Sequence, residues 1–172
     1  SDLVMIALSR KEPERAIERV ERQAALAPKN AGVQLLLGQL YERGGRLDSA
    51  EASLKKAMEL DPANNGLYVA LGSFYARHRM LDKARREYQT AVDKQPEFLQ
   101  ARMLLGVVHD SNKDYAKARE QYEAILRVDP KFGPAANNLA WNEGEHGGSL
   151  DWAVQLGQSA EVEMPQDPSV AD

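Results

Sequence analysis

Apolar and polar positions along this chain recur with helical spacing, and the recurrence itself repeats. The pairs Leu37-Gly38, Leu71-Gly72 and Leu105-Gly106 follow one another at intervals of 34 residues. Pro62, Pro96 and Pro130 keep the same interval, as do Ala50, Ala84 and Ala118, then Tyr41, Tyr75 and His109, then Leu54, Tyr88 and Tyr122. Between these ladders lie short mixed-charge runs such as Lys55-Lys56, Arg85-Arg86-Glu87 and Lys117-Ala118-Arg119-Glu120, the composition of solvated helix faces. At average glycine and proline usage, three such coincidences arise about 4 × 10⁻⁸ times per register, so the repeat is real. The pattern predicts helices near 2–9, 13–26, 31–43, 48–60, 65–77, 82–94, 99–111, 116–128, 133–145 and 151–163, an all-α fold.

Each ladder has a physical reason. Gly38, Gly72 and Gly106 fall inside predicted helices, where glycine costs about 1 kcal/mol against alanine. Close approach of a second helix compensates, and Ala50, Ala84 and Ala118 are expected at the same contact. Tyr41 and Tyr75 supply large buried rings with a polar tip. The prolines stop the second helix of each pair, since proline has no N–H and clashes with the preceding turn. Gly44-Gly45 breaks the chain between paired helices. Asn65-Gly66 would suit a hairpin, but the helical periodicity on either side makes it a turn between helices.

Tyr68, Leu71, Gly72, Tyr75, Ala84, Tyr88, Ala91 and Pro96 together resemble the tetratricopeptide repeat, a 34-residue helix–turn–helix unit. The resemblance implies an α-solenoid of stacked antiparallel helix pairs. It divides the chain into repeats at 31–64, 65–98 and 99–132, with a divergent fourth at 133–167 carrying one inserted residue. In that fourth copy Leu139-Ala140 replaces the Leu-Gly pair, Glu143 holds the tyrosine place and Gly157 the aromatic place, so looser packing is expected. Residues 1–30 read as a partial repeat and 168–172 as the start of another, which makes the chain look like a piece of a larger bacterial array. Under-covered ends at Val4, Ile6 and Leu8, and at Trp152 and Leu156, would fray or associate end to end.

The chain is 43% hydrophobic and 28% charged, enough apolar content to bury a core, and its net charge of −4 is spread along the sequence. A nucleic-acid partner is not expected, since no concentrated basic surface is visible. Membrane insertion is not expected either, because no apolar stretch approaches the roughly 18 residues a span requires. The run Leu3 to Leu8 is too short for a signal peptide and lacks a basic lead. Without cysteines there are no disulfides, thiolate metal sites or cysteine nucleophiles. Localisation stays open between cytoplasm and bacterial periplasm.

No catalytic, cofactor-binding or metal-binding residues are expected. His78, His109 and His146 lie far apart, without the spacing of a metal-binding helical turn. His109 occupies the place of Tyr41 and Tyr75 and reads as a packed core residue, whereas His78 and His146 read as solvated turn residues. No phosphate-binding glycine loop or nucleophile elbow occurs.

The expected partner is another protein or a peptide segment. In tetratricopeptide proteins the first helices of successive repeats line a concave groove. The resemblance places Leu35, Val69, Met103 and Asn137 in one of its rows, and Gln39, Ser73, Val107 and Trp141 in the next. Arg43, Arg77 and Asp110 belong to the charged rim, with the arginines suited to an acidic flank on the ligand. The family's carboxylate-clamping subclass needs basic residues where this chain has Leu35, Gln39, Ala70, Gln100 and Leu104, or one repeat further Val69, Ser73, Leu104, Pro134 and Asn138. Neither set is basic. The apolar row either packs on neighbouring helices or is exposed for binding, and Trp141 is either an anchor or a plug in the fourth repeat. A partner-holding scaffold and a structural spacer are both consistent with these residues. The segments Asn137–Trp141 and Gly147–Asp151 also resemble stretches of large bacterial envelope and exopolysaccharide-export proteins, which implies an assembly arm as the alternative.

Overall fold

The structure, a computed structural model, describes residues 13–146. All of its regular structure is helical: α1 Pro13–Leu26, α2 Ala31–Arg43, α3 Leu47–Leu60, α4 Asn65–Arg77, α5 Leu81–Lys94, α6 Leu99–Ser111, α7 Tyr115–Val128 and α8 Gly133–His146. The predicted helices recur here, with α3, α5 and α7 each starting one residue earlier than the pattern suggested and α8 ending one later. The expected helices at 2–9 and 151–163, and the end groups thought to fray or associate, lie outside the described residues.

The chain divides into two compact units, residues 1–80 and 81–172. In the first, α2 packs against α1 and α3, and α4 packs against α3 and touches α2. Its core gathers Ala16, Ile17, Val20, Val33, Leu37 and Leu40, with Leu36 packed against them. In the second unit α6 packs against α5 and α7, and α8 against α7. There Ala118, Tyr122, Ile125, Ala135 and Leu139 form a core on which Leu99, Met103 and Phe132 rest.

The alanine ladder is fully buried at Ala50, Ala84 and Ala118. The glycine ladder is tight for a reason the sequence pointed to only in part. A Cβ on Gly38 would stand 2.7 Å from Leu54 Cγ and 3.3 Å from the Ala50 carbonyl oxygen. A Cβ on Gly106 would stand 2.5 Å from Tyr122 Cε1. The glycine therefore makes room chiefly for the residue of the aromatic ladder, and the alanine backbone comes second. Pro28, Pro62, Pro96 and Pro130 each lie two residues beyond a helix end, where their ring cannot extend the helix.

The turns within helix pairs share one geometry. Gly45, Arg79 and Lys113 have φ of 75°, 62° and 62°. After each, a backbone N–H reaches back five residues: Arg46 to the Tyr41 carbonyl, Met80 to Tyr75, and Asp114 to His109, at 2.8, 2.9 and 2.8 Å. This is the double-bonded helix end that favours glycine at its left-handed residue. Only the first copy has glycine there, so Gly44-Gly45 revealed one turn and the pattern missed the equivalence of Arg79 and Lys113. The left-handed region costs a non-glycine residue about 1–2 kcal/mol, partly offset by glycine's larger entropy loss. Lys113→Gly and Arg79→Gly should therefore each stabilise by up to about 1 kcal/mol, and Gly45→Ala should destabilise by about as much. Urea titrations of the three variants decide this, and a loss of stability in Lys113→Gly would refute the strain argument.

Candidate partner-binding surface

The predicted site residues fall on α2 and α4 in the first unit and on α6 and α8 in the second. In the first unit Gln39 and Arg43 are exposed, while Leu35 and Ser73 are half-buried. Val69, expected in the apolar row, exposes only 6% of its surface, so it is a packing residue. Arg77 is not available as an unengaged rim charge. Its guanidinium grips Glu42 with two parallel bonds, Nε to Oε1 at 2.8 Å and Nη2 to Oε2 at 2.7 Å. That fork holds the Glu42 carboxyl below its ordinary value, against the opposing effect of partial burial. His78 Nε2 lies 3.0 Å from the same carboxylate and its ring packs 4.8 Å from that of Phe74. His78 is thus half-buried and partnered, contrary to the solvated turn residue the sequence suggested.

The tyrosine places carry a connected chemistry. Tyr41 donates to Glu21 at 2.7 Å, and its phenol is pushed up to about 12 by burial first and by that glutamate second. Tyr75 donates to Glu51 at 2.8 Å. Glu143 stands in the same place on α8, where it is buried and ion-paired with Arg119 Nε at 2.7 Å. Glu51 and Arg119 hold equivalent positions two repeats apart, so the partner changed sign with the residue. This local exchange keeps a carboxylate in a buried place that the sequence had marked only as a departure.

His109, in the intervening copy, is packed as expected and exposes 4%. Burial lowers its imidazole from the ordinary value; nearby Lys117 and Arg85 push the same way, and Asp114, with Oδ2 3.6 Å from Nδ1, opposes. Because the folded value is depressed, the unfolded chain takes up the proton first. This contribution to stability is thus intact above the ordinary histidine value of about 6.5 and is lost as pH falls from there through the folded value. Chemical denaturation between neutral and mildly acidic pH should show the wild type losing stability faster than His109→Gln. Parallel curves would refute it.

In the second unit the structure brings four of the predicted residues together. Val107, Asp110, Asn137 and Trp141, with Ser111 and Asn138, line a cavity of about 260 Å³ beside α6 and α8. Val107 is 40% exposed and Trp141 52%, two of the exposed large apolar residues of the described chain. Met103, the fifth residue predicted in this unit, rests against the core instead. Trp141 meets the Tyr115 ring at its edge, with centroids 6.3 Å apart and planes at 68°.

Two of the lining residues, Asp110 and Asn138, belong to a polar network that the sequence did not foreshadow. Tyr122 Oη donates to Asp110 Oδ2 at 2.6 Å and accepts from Asn138 Nδ2 at 3.3 Å. Asn142 Nδ2 donates to Asp110 Oδ1 and to the Tyr115 carbonyl, both at 3.1 Å. Burial first, and then the hydrogen bond to Asp110, raise the Tyr122 phenol well above its ordinary value. Asn142 is fully buried at the place that holds Leu40, Phe74 and Val108 in the earlier copies. A polar residue at an apolar rung was the available signal; its partners, distant in sequence, were not.

A chain built from helix pairs repeated at 34 residues is an all-α repeat protein of the solenoid class. Two models of the tetratricopeptide repeat match it, over residues 7–71 and 69–137, and the chain belongs to the tetratricopeptide-repeat proteins. No curated protein matches it in sequence. The crystal structure of MamA is similar with a TM-score of 0.80 at 26% identity, over 96% of each chain. A tetratricopeptide repeat protein from Parabacteroides merdae aligns with a TM-score of 0.80 at 22% identity, over 96% of this chain and 66% of that one. YrrB, described as having an unusual peptide-binding site, aligns with a TM-score of 0.74 at 19% identity, over 99% of this chain and 87% of its own. Among the described residues no helix is long and apolar enough to cross a membrane.

Proposed function

We propose that this chain is a non-catalytic scaffold that holds a segment of a partner protein against the exposed face of its first helices. The observation that carries the reading is the cavity edged by Val107 and Trp141. Exposed large apolar side chains beside fixed polar groups are the composition of an interface centre, where a few aromatic anchors dominate the energetics. Repeat arrays use such surfaces for helical or extended segments, and the peptide-binding site described for YrrB is consistent with this use. Of the two arginines expected to favour an acidic flank, only Arg43 remains uncommitted to Glu42, so that preference rests on Arg43.

Peptides selected from a displayed random library on the immobilised protein provide the test. Trp141→Ala and Val107→Gln should each weaken the selected peptides by about 1–2 kcal/mol in calorimetric titration. Added salt should weaken them modestly, since exposed ion pairs contribute little. Both side chains are exposed, so neither change should alter folding; Met103, which packs on the core, is the wrong position for this purpose. If affinity is unchanged in both variants and falls instead for substitutions on α5 or α7, the chain is a spacer whose partners attach elsewhere.

A further inference from the structure

The cavity beside Trp141 has a composition that selects among ligands. At about 260 Å³ it lies below the roughly 300–1,000 Å³ of small-molecule sites. It therefore suits one long side chain better than a free metabolite or a helix. Of its six lining residues one is anionic and none is cationic. The other polar groups are the amides of Asn137 and Asn138 and the hydroxyl of Ser111.

Asp110 is held in place without being neutralised. Its two side-chain donors, the Tyr122 hydroxyl and the Asn142 amide, are uncharged, and each takes a different carboxylate oxygen. A carboxylate offers about four acceptor positions, so both oxygens keep capacity for a further donor. Because the network orients the carboxylate before any ligand arrives, an incoming cation need not order it. On the same cavity, Trp141 presents an exposed indole, the best aromatic partner for a cation. A carboxylate and an indole face together recognise a guanidinium particularly well, since it can fork onto the first and stack on the second. An acidic ligand group would meet Asp110 with like charge.

We propose that this cavity receives a single basic side chain of the partner segment, arginine in preference to lysine, with Asp110 as counterion and Trp141 as the stacking face. The inference rests on the reading of the chain as a segment-binding scaffold, and adds to it the residue that segment must carry.

The probes are N-acetyl-arginine N-methylamide and the citrulline equivalent, which keeps the shape and removes the charge. Both are titrated into the whole chain while the side-chain amide signals of Asn137 and Asn138 are followed by NMR. The arginine compound should shift those signals saturably. Citrulline should bind at least about fivefold more weakly, and the lysine equivalent, titrated in the same way, should fall between them. Trp141→Ala should reduce the preference for arginine with unchanged thermal melting. Asp110→Asn should abolish it; since Asp110 also joins buried groups, that variant is interpreted only once its melting curve shows it folded, and the citrulline and Trp141→Ala comparisons decide the matter by themselves. Equal binding of arginine and citrulline, arginine shifts unaltered in Trp141→Ala, or no shift at the highest soluble concentration would each overturn the proposal.

The displayed peptides separate this failure from that of the broader reading. If selected peptides depend on Trp141 and Val107 yet tolerate arginine-to-citrulline replacement, the basic-side-chain proposal fails and the scaffold reading stands. If no selected peptide depends on these residues while the arginine compound still binds, the scaffold reading fails and the cavity's preference stands.

Discussion

Truncating Tyr122 to alanine is expected to destabilise the chain by about 3–5 kcal/mol, the range for large aromatic side chains removed from cores. The ring is fully buried and packs with Ala118, Ile125, Ala135 and Leu139. Its hydroxyl also joins α6 to α8, because it donates to Asp110 and accepts from Asn138. The alanine variant thus loses apolar burial, opens a cavity and removes one donor from a carboxylate. Tyr122→Phe isolates the last effect and should cost about 1.5–3 kcal/mol, the range for a hydrogen bond to a charged group. It should also alter the cavity beside Trp141, since Asp110 would keep Asn142 as its side-chain donor and lose the shorter bond. Equilibrium urea unfolding of the two variants gives both numbers. A phenylalanine variant as stable as the wild type would mean that the hydroxyl bonds contribute nothing net.

Gly106→Leu is expected to cost about 1–3 kcal/mol by overpacking, and Gly106→Ala should already be felt. The first added atom would lie 2.5 Å from Tyr122 Cε1 and 2.9 Å from Cζ, closer than carbon atoms approach. Tyr122 cannot easily give way, because burial surrounds its ring and two hydrogen bonds fix its tip. At the equivalent Gly38 the obstruction is the Leu54 side chain, 2.7 Å from the added carbon at Cγ and 2.8 Å at Cδ2. Leucine can change rotamer, so Gly38→Ala should be milder than Gly106→Ala. A double-mutant cycle sharpens the argument. Tyr122→Leu gives the second unit the residue found at Leu54, and Gly106→Ala should cost less in that background than alone. Additive costs in the cycle would show that the clash lies elsewhere.

Both experiments probe contacts whose existence, though not whose partners, could be read from the chain. A repeat spaced at 34 residues requires each copy to meet its neighbours in the same way. The period, the helix limits, the stops at Pro62, Pro96 and Pro130 and the burial of Ala50, Ala84 and Ala118 were therefore legible without coordinates. So was the packed state of His109, which stands where two tyrosines stand in other copies. These features depend on local backbone chemistry and on repetition, and both are written in one dimension.

What only the tertiary structure decided is what happens where a copy departs from the pattern. Val69 is packed, and Arg77 and His78 turn to Glu42, because a side chain's exposure depends on which neighbours fill the space around it. Glu143 could be seen to break the tyrosine ladder, yet its pairing with Arg119 needed the geometry of α7 against α8. The same holds for the cavity. Val107, Asp110, Asn137 and Trp141 were placed on one face by analogy, but only folding sets Tyr122, Asn138 and Asn142 around Asp110 to hold a carboxylate beside an exposed indole. Repetition determined where each side chain sits; packing of distant residues determined which of them remain available to a partner.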